Sequence, residues 1–312
     1  MDKQKRSIKT AVITGPTGAI GTALCRRLIA EGVRVFAVCR PDSPRVAALP
    51  SHPNLQVVAC DVTALDRLPD LISEQVDAFY HFAWTNTTGA GRNNMPAQVA
   101  NIAGTLAAVN AAAALGCKVF IGAGSQAEYG RVEGVLTPET PAFPENGYGM
   151  AKLCAGQMSR VLCREKGIDH IWTRVLSVYG PGDGVGAMVP SVILKLANGE
   201  RPALTAGVQQ WDYLYSEDAA RAFYLLATDG VNEQVYVVGG GKAKPLREYI
   251  EALRDAIDPA LPLGFGEIPY APLQVMHLEA DISALTRDTG FVPEVSFADG
   301  IRETVRYYTK KL

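Results

Sequence analysis

A doubly wound parallel α/β sheet followed by a smaller C-terminal lobe is the fold this sequence predicts, and three observations predict it. Strand-like and helix-like patterns alternate through the first 180 residues. Glycines at 15, 18 and 21 span the passage from the first strand into the first helix. After residue 180, glycine and proline become denser and the apolar segments shorter. Strands alternating with helices require right-handed crossovers, and those require parallel pairing.

Taken in order, Ile8–Thr14 reads as a buried strand and Ala19–Glu31 as a helix closed by Gly32. Val33–Cys39, Leu55–Ala59, Val76–Phe82 and Lys118–Ile121 read as the next four strands, and Ile168–Thr173 as the sixth. Helical patterns over Ala64–Glu74, Asn93–Leu115 and Tyr148–Lys166 separate the later ones. Further on, Ser216–Thr228, Leu246–Ile257 with Pro245 at its first turn, and Asp299–Tyr308 read as helices. The expected division is a main unit over 1–180 and a smaller lobe over 181–312, with some lobe segments returning to the main sheet.

Composition sets limits on what the chain does. At ~150 residues per domain, 312 residues make about two. Apolar residues at 48% against 20% charged supply a core and exclude intrinsic disorder. Thirty Lys and Arg against 32 Asp and Glu leave a net charge of −2. That balance gives no basic field for nucleic acid and no polybasic stretch for an anionic membrane. The charged start Met1–Arg6 runs directly into Ile8–Thr14, which is too short for a signal-peptide core. The longest near-apolar runs, such as Ala107–Leu115, fall far below the ~20 residues that span a bilayer. A cytoplasmic protein is expected. Six cysteines without a C-x-x-C pair read mostly as buried thiols of a reducing compartment, and four histidines in no ligand spacing predict no metal site.

The sharpest N-terminal signal is Thr14-Gly15-Pro16-Thr17-Gly18-Ala19-Ile20-Gly21. Glycines spaced three and three let the backbone turn tightly, approach a pyrophosphate and pack the helix onto the strand. The helix N-terminus adds unpaired N–H groups and a positive dipole end. The flanking strand and helix favour dinucleotide binding; a purely structural glycine turn is the other reading.

Tyr148 and Lys152 lie four apart on a predicted helix and share one face. A phenol with a pKa of about 10 is a poor base at neutral pH. A nearby ammonium favours the phenolate, so the tyrosine can exchange a proton with a substrate oxygen. Tyr307 and Lys311 repeat the spacing, but beside Tyr308 and Lys310 they read as an amphipathic surface end. Context distinguishes Tyr148: Ser125 falls at the end of the fifth strand, where doubly wound sheets meet their ligands. A helix-start tyrosine with an incidental lysine is the alternative.

With these residues in place, the chain resembles the extended short-chain dehydrogenase/reductases, in particular their sugar-nucleotide epimerase/dehydratase branch. The segments that carry the resemblance span nearly the whole chain. They are the glycine turn, Asp61-Val62, His81-Phe82-Ala83, Asn101 with Gly104 and Thr105, Gly124-Ser125 through Tyr129-Gly130, Tyr148 with Lys152, and Arg174 through Tyr179-Gly180-Pro181. Trp211-Asp212-Tyr213 with Glu217-Asp218-Ala219-Ala220, and Asp281 with Gly290-Phe291 and Pro293, complete them. The resemblance implies a Rossmann-type fold, NAD or NADP as cofactor, a nucleotide-linked sugar as substrate, and a homodimer formed through the helices beginning near Asn93 and Tyr148. It implies that Ser125, Tyr148 and Lys152 form the catalytic set, Ser125 bonding the reacting oxygen and Lys152 also holding the nicotinamide ribose. It places Gly15, Thr17, Gly18, Ala19, Ile20, Gly21, Asp61, Val62, Phe82 and Ala83 around the cofactor, with Tyr148 and Lys152 at its reactive end. Asn101 falls near the catalytic face, and Tyr179 and Pro181 near the nicotinamide. Asp61 reads also as a helix N-cap, and His81 equally as a satisfied core histidine.

Departures from the family pattern narrow the reaction. The family's 4,6-dehydratases carry Asp-Glu directly after the residue matching Ser125, an acid and a base for water elimination. Here Gln126 and Ala127 stand there, with Glu128 displaced by one. Hydride transfer at a sugar carbon remains, either as net keto reduction or as the oxidation and re-reduction of an epimerase. Ser177 stands where many relatives have an asparagine and Trp211 where they have an arginine, both contacts to the nucleotide diphosphate. The further arginine expected before Asp281 is missing. Gln126, Ser177 and Trp211 therefore make an unusual substrate side, and Gln209, Gln210 and Trp211 either meet a nucleotide base or, for Trp211, pack in the lobe. A smaller ketone or alcohol is the alternative substrate. A dinucleotide sensor without turnover is the alternative of another class, but such sensors lose the tyrosine or the lysine.

The cofactor is read from the end of the second strand. NAD-binding relatives place an aspartate there, on the adenosine ribose. This chain has Arg40, whose guanidinium suits a 2′-phosphate, with Ser43 and Arg45 to complete the pocket. The other reading leaves Arg40 solvated and gives the ribose to Asp42. NADP with net keto reduction is preferred; a non-dissociating NAD points instead to an epimerase.

Overall fold

The computed structural model describes residues 5–310, so Lys311 of the second tyrosine–lysine spacing lies outside the described residues. The chain runs β1 (Thr10–Thr14), α1 (Ala19–Ala30), β2 (Arg34–Cys39), β3 (Leu55–Ala59), α2 (Leu68–Leu71), β4 (Ala78–His81), α3 (Met95–Ala114), β5 (Val119–Ala123), α4 (Gly147–Lys166) and β6 (Asp169–Val175). It continues through β7 (Ser177–Tyr179), α5 (Met188–Ala197), β8 (Ala203–Leu204), β9 (Gln210–Trp211), β10 (Tyr213–Tyr215), α6 (Ser216–Asp229), β11 (Val235–Val238) and β12 (Lys244–Pro245). The last elements are α7 (Leu246–Asp255), β13 (Gly264–Phe265), β14 (His277–Leu278), α8 (Ser283–Thr289) and α9 (Phe297–Thr309).

Seven strands form one sheet in the order β11-β6-β5-β4-β1-β2-β3, every neighbouring pair parallel. This is the doubly wound Rossmann-type arrangement the alternating pattern predicts. Strands buried on both faces read as unbroken apolar runs, as Ala11–Ile13 and Ala78–Tyr80 do. One face packs Ile13, Tyr80 and Ile121 against Leu24 and Leu28 of α1 and Phe223 and Leu226 of α6. The other packs Val12, Phe79 and Phe120 against Ala108 and Val109 of α3. The order reverses between β1 and β4, and the crevice at their carboxyl ends is where such sheets take their ligands.

The C-terminal part is divided in its packing. Helix α6 and strand β11 return to the main sheet, β11 pairing with β6 from Val235 opposite Trp172 to Val238 opposite Val175. Tyr179, Ile193, Tyr249, Ile250 and Ile301 build a separate core for the smaller lobe.

The segment expected as one helix over Ala64–Glu74 is instead a 3-10 turn, Val62–Arg67, followed by the single turn of α2. Ala64 leaves helical angles at φ −130° and ψ 30°, and Ile72 is extended at φ −123° and ψ 103°. Pro69 in the first turn of α2 has no N–H with which to join the two pieces. Pro245 is likewise the residue before α7, with φ −52° and ψ 130°, rather than a member of its first turn.

Candidate active site

The glycine turn joins β1 to α1, and its three glycines serve different ends. Gly15 has φ +70°, and a Cβ there would stand 2.8 Å from the Ala83 amide nitrogen at the end of β4. A Cβ on Gly21 would strike the Gly15 carbonyl and stand 2.8 Å from Pro16 Cα. Both are dictated by the protein's own packing. Gly18 is not: the nearest protein atom to its Cβ position is 3.8 Å away. Gly18 is also the N-cap of α1 and supplies no side-chain cap, so the first-turn N–H groups remain for an anion.

Two cavities meet over this turn. One, about 290 Å³, is lined by Gly15, Thr17, Gly18, Arg40, Ser43, Arg45, Cys60, Val62, Phe82, Ala83 and Trp84. The other, about 350 Å³, is lined by Gly18, Ala19, Ile20, Gly21, Thr87, Ser125, Tyr148, Lys152, Val178 and Asp183. Both are walled by Gly15, Gly18, Phe82 and Trp84, so together they trace a path from Arg40 to Tyr148. An elongated dinucleotide fits it: room over Gly18, a helix N-terminus at mid-length and guanidinium groups at one end.

At that end Arg40 is exposed, and Arg45 donates to the Thr17 carbonyl at 3.0 Å. Asp42 is exposed at φ 58°. Asp61 caps the following 3-10 turn, accepting from Thr63 N at 2.9 Å and Thr63 Oγ1 at 2.8 Å. Those bonds hold its carboxyl below the usual range, with Arg40 adding to them.

At the other end the structure brings Ser125, Tyr148 and Lys152 together. Ser125 lies two residues beyond β5 and accepts from Ala127 N at 3.2 Å. Asn146 caps α4 by accepting from Gly149 N at 3.0 Å, and Asn93 accepts from Gly147 N at 2.9 Å, which fixes the turn bearing Tyr148. Burial pushes the Tyr148 phenol up, opposed first by its bond with Ser125 and then by Arg92, whose guanidinium carbon stands 4.9 Å from the ring centroid. The sequence assigns that opposing charge to Lys152. Here Arg92 carries it, because the Lys152 amine points to the Ala123 carbonyl at 2.5 Å and to the Trp84 ring at 3.8 Å. Burial pulls the Lys152 amine down to about 7, with Glu128 opposing.

Glu128 belongs to the interior. Its carboxylate accepts from Ser125 N at 2.9 Å, Trp172 Nε1 at 3.0 Å and Arg174 Nε at 3.0 Å, and it is wholly buried. Gly122, Gly124 and Gly156 make this possible: a Cβ on any of them would collide with the Trp172 indole or the Glu128 carboxylate. Gln126, half-buried beside Ser125, opens the same turn.

His81 is a satisfied core residue. Thr105 Oγ1 donates to the Asn101 carbonyl at 3.0 Å and so accepts from Nε2–H at 3.2 Å, while Nδ1 accepts from the Thr14 hydroxyl at 2.9 Å. Asn101 fastens the loop after β4, bonding Thr85 N at 3.1 Å and Thr85 O at 3.0 Å.

In the lobe, Trp211 Nε1 donates to Ser177 Oγ at 2.8 Å, so the two expected substrate residues meet each other. Gln209 is buried and accepts from Tyr270 OH at 2.9 Å. Tyr179, expected near the nicotinamide, is turned into the lobe core: it is buried among Tyr213, Tyr215 and Phe297 and donates to the Phe297 carbonyl at 3.3 Å. Asp212 staples the lobe by accepting from the amides of Gly240, Gly241 and Ala280 at 2.6–3.0 Å.

The sequence singles out neither two residues that line the cleft, Trp84 and Asp183, nor one that lies over Tyr148, Arg92. Trp84 follows the strand-end motif directly, which was its only signal. Arg92 has no signal at all, since only the fold lays it over Tyr148. Asp183 sits in the Gly180–Gly184 turn, its carboxyl raised to about 6 by burial, with the Gly184 amide and Arg45 opposing. Among the described residues no cluster could hold a metal, and no helix is long and apolar enough to cross a membrane.

Residues 11–239 match the family described as the NAD dependent epimerase/dehydratase family. The dTDP-glucose 4,6-dehydratase of Neisseria gonorrhoeae is 26% identical, over 98% of this chain and 97% of its own. The CDP-abequose synthase of Salmonella muenchen is 26% identical over 95% and 96%. Among solved structures, the UDP-N-acetylglucosamine 4-epimerase of Methanobrevibacter ruminantium M1, in complex with UDP-N-acetylmuramic acid, overlays at TM-score 0.88 with 24% identity, over 98% of this chain and 100% of that one. The UDP-glucuronic acid 4-epimerase of Bacillus cereus, in complex with UDP-glucuronic acid and NAD, overlays at 0.84 with 21% identity, over 97% and 100%.

Proposed function

The chain belongs to the NAD dependent epimerase/dehydratase family, and from that premise we propose that it reduces a keto group on a nucleotide-linked sugar, with NADP as its preferred cofactor. The observation that carries the reading is the pairing of ends: Arg40, Ser43 and Arg45 wall one end of a path whose other end is Ser125, Tyr148 and Lys152. Two guanidiniums and a hydroxyl suit a 2′-phosphate. The glycine turn and the start of α1 would hold the pyrophosphate, and Val62, Phe82 and Ala83 would flank the adenosine half. Residues 1–180 are the dinucleotide side on this reading and 181–312 mainly the substrate side, with Gln126, Ser177 and Trp211 facing the sugar nucleotide.

The bound cofactor supplies the hydride. The Tyr148 hydroxyl gives its proton to the keto oxygen as that oxygen gains charge. Ser125, bonded to Tyr148, orients the same oxygen, and the guanidinium of Arg92 over the Tyr148 ring, with Lys152 Nζ further off at 5.9 Å from the ring centre, favours the phenolate left behind. Water elimination, the chemistry named for the dTDP-glucose relatives, finds less support, since Gln126 and Ala127 offer no acid–base pair and three donors occupy Glu128. Epimerisation is the second reading, favoured by the overlay on 4-epimerases. A cytoplasmic homodimer is part of the proposal. Met95 and Val99 on α3, with Met150, Met158 and Val161 on α4, leave an exposed apolar stripe suited to a second copy.

The test is to incubate the purified protein with NADPH or NADH and a panel of nucleotide sugars and their keto derivatives. Net oxidation of NADPH with formation of one alcohol is expected. Interconversion of two sugars without net cofactor consumption, or NAD retained through purification, would replace the reductase by the epimerase. Light scattering that gave a monomer would remove the dimer.

A further inference from the structure

Trp84 stands where the two cavities of the cleft meet. Lys152 Nζ lies 3.8 Å from the centre of its ring, and the indole is nearly perpendicular to Tyr148, with centroids 6.2 Å apart at 87°. The indole is itself fixed. Its N–H donates at 3.0 Å to Oε1 of Gln98, which is buried and whose amide donates to the carbonyls of Asn86 and Gly91 at 3.0 and 3.3 Å. Asn101 bonds the same Oε1 at 3.3 Å.

Lys152 is 4% exposed and has the Ala123 carbonyl as its hydrogen-bond acceptor. An ammonium taken out of water loses its hydration, and an aromatic face restores part of it through the ring quadrupole. We propose that Trp84 is a positioning residue, pinned by Gln98, that keeps Lys152 charged and level with Tyr148. The other groups around the amine are Glu128 from the turn after β5, His81 from β4, Tyr148 on α4 with Arg92 across its ring, and Asp183 on the far wall. Glu128 supports the charge from a distance while bound to three donors of its own, and His81 is neutral. Of the two rings that face the ammonium, Trp84 is the nearer, at 3.8 Å from its centre against 5.9 Å for Tyr148.

The consequence for turnover rests on the proposed role of Lys152, but the contact does not, and two experiments separate them. In the first, tryptophan emission of the full chain is titrated across neutral pH. A protonated amine quenches a neighbouring indole, so emission should rise as Lys152 loses its proton near pH 7. The transition should vanish in both Lys152→Met and Trp84→Phe. Its persistence in either variant, or its absence from the native chain, overturns the contact whatever reaction the protein catalyses. In the second, the pH profile of kcat/KM is measured for Trp84→Leu and Trp84→Phe. Loss of the ring should move the alkaline limb to lower pH by about 0.5–1.5 units in the Leu variant. The Phe variant, which keeps a ring, should fall between. An unmoved limb, or one moved upward, overturns the positioning role. Should Trp84→Leu fail to fold, the Phe variant decides, since its limb must shift in the same direction.

Discussion

The indole N–H of Trp211 donates to the hydroxyl of Ser177 at 2.8 Å, tying β9 to β7 across the lobe. Where related enzymes are expected to present an arginine and an asparagine separately, this chain presents one bonded pair. The pair fixes the indole plane, so on the proposed substrate side this chain has a flat ring in place of a charge. Ser177→Ala should free that plane at a cost of about 1 kcal/mol, the net worth of one such bond. The KM for the sugar nucleotide should rise about fivefold, with kcat and cofactor affinity nearly unchanged. Steady-state kinetics decide it: a fall in kcat at constant KM would count against a binding role.

That bond also shows where sequence reading stops. Short-range patterns carried the glycine turn, the tyrosine–lysine pair and six of the seven sheet strands, because each is a property of neighbouring residues. Ser177 and Trp211 could be singled out but not joined, since their contact needs β7 and β9 to be placed first. The segment over 64–74 misled because its apolar spacing is helical, while Asp61 starts a 3-10 turn ahead of it and Pro69 opens a separate single turn within it. Arg92 was invisible for the same reason as the Trp211 bond: nothing local connects it to Tyr148.

Replacing Tyr148 with Phe removes the hydroxyl that bonds Ser125 and keeps the ring between Trp84 and Arg92. Turnover should fall by about 10²–10⁴-fold, the usual worth of a positioned proton donor. Cofactor affinity should change little, because the hydroxyl acts in the reaction. Equilibrium titration with dinucleotide, run beside the assay, separates the two; a variant of unchanged activity would end the assignment.

Arg40 and Arg45 are expected to discriminate between cofactors. Arg40→Ala should weaken NADPH by about 1.5–3 kcal/mol, the range for a hydrogen bond to a charged group, and leave NADH nearly untouched. Arg45 has a second task, its bond to the Thr17 carbonyl, so Arg45→Ala should weaken both cofactors. Fluorescence titration of each variant with each dinucleotide tests this. Tighter NADH than NADPH in the native protein would return the ribose to Asp42.

Glu128 separates a structural acid from a catalytic one. Burial pushes its carboxyl up and Arg174 opposes, so Glu128→Gln leaves a buried guanidinium without its counter-charge. The expected loss of stability is about 3–5 kcal/mol, as for other broken buried pairs. Denaturant unfolding measures it. A base for water elimination would behave otherwise, with activity lost and stability kept.

Two buried histidines predict how stability depends on pH. Burial lowers His81 from 6.5 to about 3 and His170 from 6.5 to about 4. Both folded values lie below the unfolded one, so as pH falls the unfolded chain takes up these protons first. Their contribution is complete above pH 6.5 and is lost through the window down to about 4 for His170 and about 3 for His81. Each can cost up to about 1.4 kcal/mol per pH unit inside its window. Asp183 works in the opposite sense: its folded value, raised to about 6, makes the folded state the better proton acceptor as pH falls from there, offsetting one of the two. The histidines by themselves lower the urea midpoint from pH 6.5 to pH 5, while Asp183 and the other buried carboxyls with raised values, Glu128 and Asp212, act against them. His170→Asn should flatten that decline, because it removes one of the two opposing protons while leaving Asp183 in place. The same pH dependence in the variant as in the native chain would show that the His170 ring is not held neutral.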